Sequence, residues 1–340
     1  MAEIVSERGE TIDVFLAENG WGGIDPVPLA GDASFRRYYR LSDGIRRAVL
    51  MDAPPPHEAI GPYISIAEVL RGYGLSAPEV FAEDDDVGLA LIEDFGDETY
   101  TRLLAAGSDE RALYTLAIDT LIALQRTAGA RGVPDLPQYD EQRLLAEALL
   151  LVDWYFPAVV GHRIPPEDRD SFVAAWHRLL PQLGEGRPTL VLRDYHVDNL
   201  MLLRDRSGVR RCGLLDFQDA VLGPASYDLV SLLEDARRDV PPALRDAMTA
   251  RYLDAFPGLD RIRFRRAAAI LAAQRNCKII GIFTRLARRD GKPQYLGHIP
   301  RVWRLLIEDL RDPVLAPLAA WVERHFPPRL RRTPADRSAA

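Results

Sequence analysis

The stretch LVLRDYHVDNLMLL (residues 190–203), followed after a polar excursion by GLLDFQD (residues 213–219), decides how this chain is interpreted. Both segments are apolar runs that carry acidic or amide residues. Asp194 and Asn199 lie five positions apart, and Asp216 ends the second run. The excursion contains aspartate, serine and glycine and predicts a turn between two strands. Such a hairpin is expected to bring a proton-accepting carboxylate close to oxygen ligands for Mg²⁺.

This pattern also has a purely structural interpretation. Aspartate and asparagine are common at strand ends and in turns, so the spacing of Asp194 and Asn199 alone favours ordinary turn residues. The second strand ends in Asp216 and Phe217, a hairpin length downstream, and this favours a functional site. We therefore predict that Asp194 is the catalytic base and that Asn199 and Asp216 hold Mg²⁺.

The composition is that of a soluble globular protein, with 47% hydrophobic and 27% charged residues in 340. A net charge of −7 argues against a general binder of nucleic acid or anionic membranes, and no stretch reaches the ~20 apolar residues of a membrane span. Two cysteines imply no disulfide framework, and the acidic N-terminus lacks the apolar core of a signal peptide. We expect a cytoplasmic protein, and no obligatory protein partner is evident.

Pattern and composition change together near residue 93. Strand-like runs separated by turns precede this point, and long stretches of helical period follow it, among them a helix predicted over Gln142–Phe156. The fold class is therefore predicted as α+β. Residues 1–93 are expected to form a small β-rich lobe that covers a nucleotide, residues 94–97 a hinge, and residues 98–340 a larger, mostly helical lobe that carries catalysis and substrate binding.

The chain resembles the aminoglycoside phosphotransferase-like branch of the protein-kinase-like fold over nearly its whole length. The segments that carry this resemblance are the loop Gly31 to Phe35, Glu68, EDF at 93–95, RDYHVDN at 193–199, LDF at 215–217 and GPASYD at 223–228. More narrowly, GDASFRRYYR (31–40), VLMDAPPP (49–56) and LDFQDA (215–220) resemble the anomeric sugar kinases of peptidoglycan recycling. Those enzymes use ATP and Mg²⁺ to phosphorylate N-acetylmuramate and N-acetylglucosamine at the 1-hydroxyl.

The resemblance implies a bilobal fold and a role for each matching residue. Asp194 matches the catalytic base, and Asn199 and Asp216 match the metal ligands. The residues implied in nucleotide binding are Gly31, Ser34 and Phe35 in the loop, Glu68, and Glu93, Asp94 and Phe95 beside the adenine.

The chain departs from the family at the lysine that binds the ATP phosphates. Lys278 and Lys292 are the only lysines, and Leu50 or Met51 occupies the expected position, so the usual ion pair of that lysine with Glu68 cannot form. Arginine binds phosphate bidentately and can replace lysine. The candidates, in the order we rank them, are Arg36 and Arg37, followed by Arg40 and Arg47.

The acceptor sugar is expected to meet residues that flank the predicted base and metal ligands. Tyr195, His196, Gln218 and Asp219 either bind sugar hydroxyls or brace the local loops, and the sequence leaves both interpretations open.

Residues 261–305 hold ten arginines and two lysines against one acid. Most of these basic residues are expected to face solvent. Arg275 and Lys278 lie three apart on an otherwise apolar helix and are predicted to receive the lactyl carboxylate of N-acetylmuramate. Asp228, at the start of a helix, is predicted to satisfy free N–H groups there and to support the catalytic loop, with direct catalysis as the alternative.

Two other functions remain open at this point. The first is a kinase for another small-molecule hydroxyl, such as an aminoglycoside, choline or homoserine. The basic residues 261–305 argue against polycationic acceptors if they line the pocket. The second is a nucleotide-binding pseudokinase, which the missing lysine supports and the three predicted base and metal positions oppose.

Overall fold

The computed structural model describes residues 2–29, 36–184 and 188–335, and within these ranges the chain combines strands and helices as the predicted α+β class requires. It divides into two compact units. The first unit comprises residues 1–120 and 197–220, and the second unit comprises residues 121–196 and 221–340. No helix in the described ranges is both long and apolar enough to span a membrane. The lobe boundaries expected from the sequence stay a prediction, and Gly31, Ser34 and Phe35 lie outside the described residues.

A five-stranded antiparallel sheet in the order β1-β2-β3-β5-β4 is the centre of the first unit. Its strands are β1 Val27–Pro28, β2 Arg37–Ser42, β3 Arg47–Asp52, β4 Val80–Asp84 and β5 Leu89–Ile92. The core on this sheet includes Phe15, Trp21, Leu41 and Leu50. β2 and β3 are joined by a tight turn in which Gly44 adopts a φ of +89°, a backbone region that favours glycine.

The first unit also contains helices and the hairpin that the sequence predicts. The helices are α1 Ala2–Glu18, α2 Gly61–Gly72, α3 Tyr100–Ala105 and the first half of α4 Glu110–Arg131. β7 Leu200–Leu202 pairs antiparallel with β8 Cys212–Leu214, which confirms the predicted turn between two strands. Bridges from Ser76 to Gly213 and from Thr99 to Met201 join this hairpin to the rest of the unit.

The second unit is built around the 29-residue helix α10. Its elements are α5 Glu141–Ala148, α6 Phe156–Val160, α7 Pro166–Leu179, β6 Thr189–Val191, β9 Val221–Gly223, α8 Ser226–Leu233, α9 Pro242–Asp254, α10 Arg261–Arg289, α11 Ile299–Asp309 and α12 Ala316–His325. Asp260 caps α10 by accepting from the N–H groups of Ile262 and Arg263. At Gly281 an added Cβ would lie 2.3 Å from the backbone of Leu150, so glycine permits this close crossing.

The single helix predicted over Gln142–Phe156 is wrong. Helix α5 ends at Ala148, a five-residue π-helical turn covers Leu151–Tyr155, and α6 begins at Phe156. Pro157 explains the π-helical turn that directly precedes it, because proline has no N–H to donate and its ring clashes with the preceding turn of an α-helix. The widened turn accommodates this missing hydrogen bond.

Candidate active site

The predicted metal ligands Asn199 and Asp216 meet at the end of the β7–β8 hairpin in the first unit. The Leu215 N–H donates to the Asn199 carbonyl at 3.0 Å, and the Asn199 side-chain amide donates to Asp216 Oδ2 at 3.2 Å. On its other oxygen, Asp216 accepts from Gln218 Nε2 at 2.7 Å. Asp216 has a φ of +57°, a conformation that non-glycine residues rarely adopt and that is often found at functional sites.

The donor set at Asp216 fits Mg²⁺. A carboxylate offers about four lone pairs and can hold a cation while it accepts hydrogen bonds from amides such as those of Asn199 and Gln218. Magnesium is typically held by one or two protein oxygens and completes its shell with phosphate and water oxygens. In the described ranges no group of three or more His, Cys, Asp or Glu residues could hold a metal ion. Asn199 and Asp216 are the residues whose oxygens would hold a magnesium ion at this place.

An aromatic and charged cluster surrounds Asp216 within the first unit. Phe217 is fully buried and stacks on Tyr63 of α2, with ring centroids 4.9 Å apart. Burial raises the pKa of Tyr38 to about 12, the charge and hydrogen bond of Arg36 oppose this rise, and the negative charge of Asp216 adds to it. The predicted phosphate-binding Arg36 and the predicted metal ligand Asp216 therefore act on the same side chain.

The four candidate arginines have different surroundings. Arg36 forms an ion pair with Glu58 at 3.0 Å, and the two side chains are only 9% and 18% exposed. Arg37 is exposed. Arg40 Nε lies 2.8 Å from the carboxylate of Asp94, and Arg47 Nε lies 3.5 Å from it. Arg40 and Arg47 thus bind the first residue of the predicted hinge segment, 94–97.

The predicted adenine-facing residues are anchored by side chains of the first unit. Glu93 forms an ion pair with Arg206, and its backbone N–H donates to Glu79 at 2.8 Å. Phe95 packs against Gly213, where an added Cβ would lie 2.8 Å from the ring. Glu68, in contrast, is exposed on α2, and the structure gives it no part in the cluster around Arg36.

The predicted base Asp194 belongs to the second unit and follows β6. Asp228 accepts from the Leu192 N–H at 2.7 Å and from the Arg193 N–H at 2.9 Å, while Ser231 Oγ donates to the Arg193 carbonyl at 3.2 Å. Arg193 has a φ of +69°. The predicted structural support by Asp228 of the loop before the base agrees with these contacts. The expectation that Asp228 satisfies N–H groups of its own helix is wrong, because no side-chain cap bond is made at the start of α8 in the described range 188–335.

A buried ionic network lies behind this loop. Glu147 binds Arg193 at 2.6 Å and Lys278 at 3.2 Å, and it accepts a hydrogen bond from Tyr139. Burial favours the neutral acid, but the charges of Lys278 and Arg193 hold the pKa of Glu147 below its ordinary value. The network fixes the side chain of Arg193, the residue next to the predicted base.

The sequence of this chain matches those of known proteins. A model described as the phosphotransferase enzyme family matches residues 25–265. This chain belongs to that family. An N-acetylmuramate/N-acetylglucosamine kinase of Caulobacter vibrioides is 38% identical, and the match covers 96% of this chain and 99% of the relative. The enzyme with the same name from Pseudomonas aeruginosa is 39% identical over 90% of each chain.

Solved structures confirm the protein-kinase-like fold of this phosphotransferase. A choline/ethanolamine kinase family protein from Mesorhizobium loti gives a TM-score of 0.58 at 14% identity, covering 89% of this chain and 93% of that protein. The GDP complex of aminoglycoside 2'-phosphotransferase-IIIa also gives 0.58, at 18% identity, covering 89% and 98%. At these identities the likeness shows the fold alone.

The residues predicted to bind the acceptor are in unlike environments. Tyr195 is buried, and His196 is 4% exposed with Nε2 3.4 Å from Arg237 Nη1. Gln218 binds Asp216, as described above, and Asp219 is exposed.

The two cations predicted to receive the lactyl carboxylate already bind protein groups. Arg275 is 4% exposed and donates to the Glu234 carbonyl at 3.2 Å, and Lys278 is 7% exposed and binds Glu147.

Sequence reasoning missed two carboxylates beside these residues, Glu58 and Glu147. Neither belongs to a recognisable motif, and each meets its partner only through the fold. Their partners Arg36 and Lys278 are far away in the chain, 22 positions from Glu58 and 131 from Glu147 respectively. The only signal in the sequence was indirect. The few arginines and lysines that the sequence singles out need acidic partners to neutralise them.

Proposed function

We propose that this phosphotransferase uses ATP and Mg²⁺ to phosphorylate the anomeric (1-) hydroxyl of N-acetylmuramate and N-acetylglucosamine, in the cytoplasm, as a step of peptidoglycan recycling. The observation that carries this proposal is the identity of 35–39% with four N-acetylmuramate/N-acetylglucosamine kinases. The oxygen ligands gathered at Asp216 support metal-assisted phosphoryl transfer.

In the proposed mechanism Asp194 orients the anomeric hydroxyl and accepts its proton late in the transfer. An anomeric hydroxyl is more acidic than an ordinary alcohol, so a carboxylate is a sufficient base. Asn199 and Asp216 hold Mg²⁺, which when bound neutralises charge on the ATP phosphates. Asp228 keeps the backbone before the base in place, and positioning supplies most of the rate acceleration.

We assign the nucleotide to residues of the first unit. Glu93, Asp94 and Phe95 are proposed to face the adenine, and Gly31, Ser34 and Phe35 to cover the phosphates. Glu68 is expected from the resemblance, and Arg36 and Arg37 are the first candidates to replace the missing lysine. Of these, Arg36 has the strongest support, since it acts on Tyr38 together with Asp216.

The acceptor is proposed to bind through hydroxyl contacts with Tyr195, His196, Gln218 and Asp219. Arg275 and Lys278 are proposed for the lactyl carboxylate, although their burial and protein partners favour a role in holding α10. The variant Arg275→Ala separates these roles. Direct contact raises the KM for N-acetylmuramate more than that for N-acetylglucosamine, and equal effects reject it.

ATP turnover with a panel of acceptors tests the proposed function. The panel contains N-acetylmuramate, N-acetylglucosamine, kanamycin, choline and homoserine, and each is assayed with wild type and Asp194→Asn. We expect turnover on the two sugars and a fall in kcat of about 10²–10⁴-fold in the variant, with ATP binding retained. A product phosphorylated at the 1-hydroxyl loses its reducing end, which distinguishes it from products at other hydroxyls.

Each contrary result identifies one of the competing functions. Turnover restricted to kanamycin, choline or homoserine would establish a different small-molecule kinase. Binding of ATP without turnover on any acceptor would establish a pseudokinase. An Asp194→Asn variant as fast as wild type would remove this residue from catalysis.

A further inference from the structure

The register of the strands identifies the face of the sheet on which the family carries its phosphate-binding lysine. Leu50 and Met51 of β3 are the two candidates for the position of the family's phosphate-binding lysine. Leu50 belongs to the hydrophobic core with Phe15 and Trp21, so we take Met51 as that position; it is fully buried and lies opposite Tyr38 of β2. Directly opposed residues of antiparallel strands project to the same face of the sheet. Tyr38 therefore marks the face from which a lysine at position 51 would have reached the phosphates.

Arg36 reaches this same face from the neighbouring strand. It lies two positions before Tyr38, which is the spacing of residues on one side of a strand, and its side chain hydrogen-bonds to Tyr38. The charges of Arg36 and Asp216 both act on Tyr38 and on Tyr63, whose ring stacks on Phe217. The cationic side chain that acts on Tyr38 from this face therefore belongs to the residue immediately before β2, and not to a residue of β3.

Glu58 occupies the role expected of Glu68. The Arg36 and Glu58 side chains meet at 3.0 Å and are largely shielded from solvent, whereas Glu68 is exposed on α2. In kinases the phosphate-binding lysine is held by an ion pair with a glutamate. Here both partners come from other positions, and the ion pair itself is retained.

The other arginines are less suitable. Arg37 is exposed, and because it is adjacent to Arg36 along an extended chain it projects to the opposite side. Arg40 and Arg47 share the face of Met51 but bind Asp94, and neither acts on Tyr38 and Tyr63 together with Asp216 as Arg36 does. A guanidinium carries five N–H donors, enough to hold a carboxylate and a phosphate oxygen together.

We propose that Arg36 binds the phosphate groups of ATP in place of the missing lysine and that Glu58 is the residue that positions it. This inference rests on the proposed kinase function, since it assigns the phosphate contact of that same reaction. It narrows the four candidate arginines to one, and it adds Glu58, which no sequence motif indicates.

Nucleotide binding measured by calorimetry tests this proposal without any acceptor. The titrants are MgATP, MgADP and adenosine, and the variants are Arg36→Ala, Arg36→Lys and Arg37→Ala. A charge-assisted contact with phosphate is worth about 10- to 150-fold in Kd. We expect Arg36→Ala to weaken MgATP by this factor and to leave adenosine unchanged, Arg36→Lys to recover part of the loss, and Arg37→Ala to lose less than Arg36→Ala.

The role of Glu58 is tested by a double-mutant cycle. Glu58→Gln alone is expected to weaken MgATP several-fold, and to have no further effect in the Arg36→Ala background, because it acts through Arg36. Independent losses that multiply would overturn the positioning role. Arg204→Ala is the matched control, since Arg204 forms an exposed ion pair with Glu98 at 2.7 Å, and it should leave all three titrations unchanged.

Several results would overturn the proposal. These are wild-type affinity for MgATP in Arg36→Ala, an equal loss for adenosine and MgATP, or a larger loss in Arg37→Ala. If Arg36→Ala fails to fold, Arg36→Lys and Glu58→Gln still provide the comparison of MgATP with adenosine. Phosphate binding through Arg36 without turnover of an amino sugar would refute only the proposed function. Amino-sugar turnover that is unchanged in Arg36→Ala would refute only this inference.

Discussion

Replacing Asp228 by asparagine removes one of two acceptors that hold the loop before the proposed base. The carboxylate is fully buried and accepts from the N–H groups of Leu192 and Arg193 at 2.7 and 2.9 Å. Asparagine keeps one oxygen and presents an NH₂ group in place of the other, so one backbone N–H loses its partner. An unsatisfied buried donor costs about 1–3 kcal/mol. We also expect kcat to fall, because Arg193 directly precedes Asp194.

The loss of stability should depend on pH with a defined sign. Burial raises the pKa of Asp228 from its ordinary value to about 7, and the two N–H donors oppose this rise. Between these pKa values the folded protein retains a proton that the unfolded chain has released. The stabilisation from this group is therefore complete below the unfolded pKa and is lost as pH rises through 7. It amounts to about 3 kcal/mol at pH 5 and is close to zero at pH 8.

The assay is urea denaturation of wild type and Asp228→Asn at pH 5 and pH 8. The difference between them in free energy of unfolding should shrink by about 3 kcal/mol from pH 5 to pH 8, since asparagine does not titrate. Asp170→Asn, on the exposed surface of α7, is the control and should change stability by less than about 0.5 kcal/mol at either pH. If the difference in free energy of unfolding is constant with pH, the two N–H donors offset burial, and if it grows with pH, they outweigh burial. Either result would refute this reasoning.

Two further substitutions test the packing of the second unit by the same denaturation assay. Glu147→Gln deprives buried Arg193 and Lys278 of their shared carboxylate and should cost about 3–5 kcal/mol; a loss below about 1 kcal/mol would mean that the network contributes little. Gly281→Ala places a Cβ 2.3 Å from a crossing backbone and should cost about 1–3 kcal/mol, whereas Gly297→Ala, which meets nothing within 4 Å, should cost little. Equal effects of the two alanines would contradict the close crossing.

The sequence predicts the parts of the site that depend on short separations. Asn199 and Asp216 are joined by a hairpin, so apolar runs and a turn signal are enough to bring them together, and the structure confirms that hairpin. The irregular turn before Phe156 also has a local signal in the sequence, Pro157. The helical period on either side of this turn outweighed that signal in the prediction of a single helix.

Contacts between distant segments were not accessible to the same reasoning. The partners of Asp228 lie 35 and 36 positions earlier, and a carboxylate near a helix start is more often a cap for that helix. Likewise, the pairing of Met51 with Tyr38 depends on strand register, which alternation alone does not determine because a shift by two residues keeps the same faces buried.

The absence of the phosphate lysine is weak evidence for a pseudokinase once the whole composition is considered. The chain has 43 lysines and arginines together, and only Lys278 and Lys292 are lysines, so nearly every cationic position is filled by arginine. A guanidinium is longer and planar, and it does not fit a fully buried position such as Met51 in the way that a lysine stem does. Replacing lysine by arginine therefore requires the cation to come from a different position on the same face. The Arg36–Glu58 pair has that placement in the first unit, so the proposed relocation of the cation accounts for the missing lysine without loss of the reaction.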